Sequence, residues 1–173
     1  MAPTVRFSPL QYVICSAAIV VSLVLSTCRP NTGSARQDQL DSVRDSVAAF
    51  SATVAHDVTR DGSKAWMRFF SRSPQFYMAS AGKLVFPNID SAAVFVDSLT
   101  VWIRSIQLSW SDISVDPLTP DLAGFRASFH ELETLSSGRK TIQDGYCTAT
   151  VEHTASGWKF RNLHWSIAGN PER

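Results

Sequence analysis

Three cysteines in 173 residues are too few for a disulfide scaffold. Neither sign of charge dominates: 16 Lys and Arg stand against 15 Asp and Glu, and a formal charge of +1 offers no basic field to nucleic acid. Eight glycines and eight prolines exclude a collagen-like or low-complexity chain, and 45% hydrophobic residues exclude a disordered tail. Long apolar runs are scarce, so a multi-span membrane protein is excluded, and the composition is not that of a coiled coil. No H-E-x-x-H, paired C-x-x-C, G-x-G-x-x-G, phosphate loop or G-x-S-x-G occurs. No motif therefore names a reaction, and no cofactor or metal is expected. His130-Glu131 and Glu152-His153 cannot chelate jointly, because adjacent strand residues point to opposite faces.

The one long apolar run is Tyr12 to Leu25, preceded by the single charge Arg6. A basic start and a 14-residue apolar stretch fit a signal peptide over residues 1–27, and the run is short for a spanning helix, which needs about 20 residues. Leu25-Ser26-Thr27-Cys28 resembles a bacterial lipobox, with Thr27 standing where Gly, Ala or Ser is usual. The resemblance implies cleavage before Cys28, lipidation of that cysteine, and a protein exported to the periplasm or cell envelope on a lipid anchor. The alternative is an ordinary secretory signal or short anchor with Cys28 incidental. Removing residues 1–27 takes away Arg6 and Cys15, leaving a neutral chain in which a lipidated Cys28 gives Cys147 no disulfide partner.

Residues 28–37 read as a polar linker, and residues 38–169 as one domain. Leu40, Val43, Val47, Phe50, Val54 and Val58 recur every three or four residues, which predicts a long helix capped by Asp38 and ending near Asp61-Gly62. Ser63 is expected to cap a short helix through Phe70, with Trp66, Phe69 and Phe70 inward. A hairpin follows over 75–86, then a third helix capped by Asp90 with the stripe Val94, Phe95, Leu99, Trp102, Ile103 and Ile106. Leu108 and Trp110 alternate in one phase and Ile113 and Val115 in the other, so a β-bulge is expected at Ser111-Asp112. Pro117 and Pro120 mark a corner before strands over 122–135, 141–154 and 158–168. Three helices followed by an antiparallel meander are an α+β arrangement with the helices on one sheet face.

This order, the "FYMASAGKLVF" hairpin, the stretch "IQLSWSDISVDPLTPDLAGFRASF" and the closing "GWKFRNLHWS" resemble the nuclear-transport-factor-2-like superfamily, in particular its SnoaL-like branch, over roughly residues 38–168. The resemblance implies a cone of strongly curved antiparallel sheet wrapped round three amino-terminal helices, enclosing an apolar pocket. It also implies dimerisation through the outer sheet face. Members include isomerases, hydrolases, cyclases and plain binding modules, so the fold does not fix the function. The expected function is an exported, membrane-tethered module that holds a small apolar ligand or serves as a homodimeric interaction module. The alternative is a cofactor-independent isomerase or hydrolase.

Trp158, Phe160, Asn162, His164 and Ser166 share one face of the last strand and are expected to line the interior; Lys159, Arg161, Leu163, Trp165 and Ile167 would then face outward. In a closed apolar site His164 can serve as a general base; the bland alternative is a hydrogen-bonded core histidine. Glu131 continues the apolar face of Ala123, Phe125, Ala127 and Phe129, so it points inward as a desolvated carboxyl, or else sits solvated at the rim. Asp112, at the bulge, could re-aim into the pocket mouth or bond its neighbouring backbone. Trp66, Phe70, Tyr77, Trp102 and Phe160 are candidate pocket walls or plain core, with Asn162 beside them. Tyr146 lines the pocket only if its face of the 141–154 strand is the inner one, and periodicity leaves that open.

Overall fold

The structure, a computed structural model, describes residues 32–168. The signal peptide over 1–27, the cleavage and lipidation at Cys28, and residue 169 at the domain's end fall outside that range. The chain divides into two units, 1–36 and 37–173, and the packing described below is internal to the second.

The valine stripe forms α1 (Thr32–Asp61). Val43, Val47, Phe50, Val54 and Val58 are all buried. Each contributes about 1.5–3 kcal/mol by leaving water. The helix is already running at Thr32, so that part of the expected linker is helical and Asp38 is not a cap. Gly62 ends it at φ +76°, a left-handed conformation that a side chain resists. Ser63 is then the first residue of a 3-10 helix (Ser63–Arg68) and makes no capping bond. The expected α-helix through Phe70 stops at Arg68 because the backbone of Phe69 and Ser71 bonds Phe160 at 2.8 Å on each side.

Strands β1 (Tyr77–Ser80) and β2 (Lys83–Phe86) form the hairpin, turned by Ala81 and Gly82, both at positive φ. Asn88, not Asp90, caps α2 (Ile89–Trp102): its side chain accepts from Ser91 N while Ser91 returns a bond to the Asn88 backbone. Ala92 and Val96 form the buried face of α2. Val94 is 73% exposed and Trp102 68% exposed, so the expected stripe lies largely on the wrong side. That stripe ran past the helix end into residues that are extended; Ile103 and Ile106 belong to β3 (Ile103–Thr119).

Strands β4 (Leu122–Leu135), β5 (Lys140–Thr154) and β6 (Gly157–Ile167) complete a six-stranded sheet of order β2-β1-β6-β5-β4-β3. Every neighbouring pair is antiparallel except β1 and β6, which run parallel, so the sheet is mixed rather than purely antiparallel. Pro117 sits within β3, an edge strand, where a missing N–H does least harm. The bulge at Asp112 is real: the register with β4 slips between Ser111 and Ser114, and Asp112 takes φ +52°. A second bulge lies in β6, where Val151 pairs with Phe160 but Thr150 pairs with Asn162, leaving Arg161 extra. These irregularities bend the strands over α1. The Trp110 indole donates to Ser51 O and the Trp158 indole to Ser46 Oγ, each at 3.0 Å.

Candidate functional site

On β4, Ala123, Phe125, Ala127, Phe129 and Glu131 are all buried on the inner sheet face, as the period of two requires. Glu133, two residues on, shares that face. The two carboxyl groups border a cavity of about 250 Å³ lined by α2, the β1–β2 hairpin and β6. Phe95, Val96 and Leu99 come from α2, Met78, Ser80, Val85 and Phe86 from the hairpin, and Leu163 and Trp165 from β6. Trp66 and Phe70 form the floor, their rings stacked at 5.9 Å, with Trp165 edge-on to Trp66 at 5.7 Å. Gln143, paired with Glu131 across β4 and β5, supplies an amide.

Glu131 is 8% exposed. Burial pushes its pKa up to about 8, helped by the charge of Glu133 and by a hydrogen bond between the two side chains. Near neutral pH Glu131 is therefore a neutral carboxyl that can donate a hydrogen bond. Thr141 Oγ1 donates to Glu133 at 3.0 Å. An apolar chamber with a protonated carboxyl can donate a hydrogen bond to a ligand oxygen, or exchange a proton with it. Among the described residues no cluster of His, Cys, Asp and Glu is arranged to hold a metal.

Of the residues expected at this site, Glu131, Trp66 and Phe70 are there. His164 is not: the extra residue at Arg161 switches the phase of β6, so Leu163 and Trp165 turn inward and His164 faces outward, exposed, opposite Thr148 and Ala79. Leu163 and Trp165 therefore cannot serve on the outer face, contrary to expectation. Asn162 lies on the outer side and accepts from Thr150 N at 3.3 Å. Tyr77 and Tyr146 are exposed, and Trp102 stands outside the cavity in solvent. Phe160 is fully buried but beneath the site, packed edge-on against Phe50 at 5.0 Å. Asp112, His130, Asp144 and Tyr146 border an open polar hollow of about 560 Å³ on the outer sheet face. There Asp112 accepts from Ser128 Oγ at 3.1 Å, and His130 Nδ1 meets Asp144 at 2.7 Å. Sequence reasoning missed Glu133 and Gln143, although the period that placed Glu131 inward also places Glu133.

No family model and no curated protein matches the sequence. Solved structures do. A candidate scytalone dehydratase from Novosphingobium aromaticivorans superposes with a TM-score of 0.67 at 12% identity, covering 77% of this chain and 89% of its own. A hexachlorocyclohexane dehydrochlorinase from Novosphingobium barchaimii gives 0.59 at 12%, covering 78% and 91%. A nuclear transport factor 2 (NTF2-like) superfamily protein from Salmonella enterica gives 0.59 at 10%, covering 79% and 96%. At these identities the likeness speaks for architecture, and with the curved mixed sheet closing over α1 and α2 it places the chain in the nuclear-transport-factor-2-like fold.

Proposed function

We propose that this chain is a SnoaL-like binding protein, exported and tethered by its amino-terminal segment, whose cone holds a small apolar molecule carrying one hydrogen-bond acceptor. The buried Glu131 carboxyl carries the reading: it stands in a mainly aromatic and aliphatic chamber, and its raised pKa keeps it a donor at neutral pH. The chamber's size, just under the about 300–1,000 Å³ of drug-sized sites, suits a ligand of one or two rings. Pairing of two copies through the outer sheet face, where Tyr77 and Tyr146 are exposed, belongs to the same reading.

The test is titration with methyl naphthyl ketone, read by quenching of Trp66 and Trp165, together with mass spectrometry of molecules that co-purify. Binding should weaken about five- to tenfold in Glu131→Ala and above pH 8, when the donor is lost. Empty protein on repeated purification, with no ketone binding, overturns the reading. A second reading has one observation in its favour: a carboxyl poised near pH 8 beside a second carboxyl is suited to proton transfer next to a carbonyl. In that isomerase- or dehydratase-type reading the role first given to His164 passes to Glu131 and Glu133. Glu131→Gln would then keep ligand affinity while turnover falls by orders of magnitude.

A further inference from the structure

Away from the cavity, α2 ends in an apolar face that none of the described residues covers. Val101 is 65% exposed, beside exposed Trp102 and, two turns back, exposed Val94. The β4–β5 turn is pinned to this helix end: Ser136 N donates to Trp102 O at 2.9 Å and Ser136 Oγ to Val101 O at 2.7 Å. Pinning brings in Arg139 and Lys140 at the far side of the turn, while Arg104 follows Trp102 by two residues. All three cations are exposed, and none has an ion-pair partner among the described residues. Asp97 is the only carboxylate on this half of the helix, and Glu133 is turned into the cavity. A chain of nearly zero net charge thus gathers unpaired cations round an exposed indole and valines.

We propose that this surface docks on an anionic phospholipid bilayer, with Trp102 and Val101 at the headgroup boundary and Arg104, Arg139 and Lys140 on lipid phosphates. Indole rings favour that boundary, and long basic side chains can lay their stems along apolar surface while their charges reach phosphate. A second copy fits poorly, because a twofold contact would set the same cations against each other. The amino-terminal segment, proposed above as the tether, is a second reason for a bilayer to be near, and to that extent the inference rests on that reading. The inference does not depend on what the cavity holds.

Trp102 is the exposed tryptophan of the five: Trp66, Trp158 and Trp165 are buried and Trp110 is half-buried, so lipid quenching reads the docking face. The whole 173-residue chain is reconstituted into vesicles of brominated phosphatidylcholine, alone or mixed equally with phosphatidylglycerol. Emission of the native chain should be quenched in the mixed vesicles, and less so in high salt or without the anionic lipid. Quenching should disappear in Trp102→Phe. In Arg139→Glu/Lys140→Glu, the docked-to-undocked ratio should fall about tenfold or more, although the chain stays in the vesicle. Equal quenching of the native chain and Trp102→Phe overturns the proposal, as does quenching indifferent to lipid charge. Concentration-dependent shielding of Trp102 without lipid assigns the face to a second copy and overturns it as well.

Discussion

Replacing Glu131 by Gln keeps the shape and hydrogen-bonding reach of the side chain but removes its titration. In the folded chain burial and Glu133 raise the Glu131 pKa from 4.5 to about 8. Between those two values the folded protein holds a proton that the unfolded chain has released, so stability must fall as pH rises through this window. Below pH 4.5 both states are protonated and the contribution is fully retained; above pH 8 it is lost. At 1.36 kcal/mol per tenfold change, the full interval corresponds to about 5 kcal/mol. At 8% exposure, solvent screens little of it. Urea unfolding of the native chain and Glu131→Gln, followed by tryptophan emission at pH 5, 7 and 9, measures the difference between them. Titrations common to both proteins cancel in that difference. The variant should be equal or slightly weaker at pH 5 and more stable than the native chain by several kcal/mol at pH 9. Parallel stability curves from pH 5 to pH 9 would refute a desolvated carboxyl in the cavity.

Other substitutions probe the frame round the site. Gly145→Ala should destabilise the fold by about 3 kcal/mol or more in thermal or urea unfolding, because an added Cβ would lie 2.1 Å from Ser166 O and 2.6 Å from the Phe129 ring. His164→Ala should change stability by less than about 0.5 kcal/mol and leave ketone binding intact, since the imidazole is on the exposed sheet face. Burial pushes the Cys147 thiol up to about 12, so peptide mapping after iodoacetamide treatment should find Cys147 unmodified in folded protein and alkylated only after denaturation.

Strand β4 was legible because Ala and Phe alternate with polar residues between Pro120 and Gly138, and the same alternation turned Glu131 inward. The bulge at Asp112 was legible from a phase slip, Leu108 and Trp110 against Ile113 and Val115. An equivalent slip stands in β6, where Trp158 and Phe160 keep one parity and Leu163 and Trp165 the other; reading the strand as unbroken put His164 on the wrong side. The face of α2 was not legible, because apolar side chains occur all round it. Burial is set by contacts from distant segments, and small Ala92 is among the residues that fit. The parallel pairing of β1 with β6 leaves no local trace either, since its partners are some 85 residues apart, as with Ser80 and Trp165.

The position of β6 has a consequence for how the molecule is made. It is the last described strand in the chain, yet it stands inside the sheet, between β1 and β5. Until residues 157–167 leave the ribosome, the hairpin that walls the chamber has no strand to join. Meanwhile Phe129 lacks the indole of Trp165 that stacks on it at 3.9 Å. A nascent chain must therefore carry an unfinished, oily half-sheet until β6 has emerged, and the sheet then closes in one step.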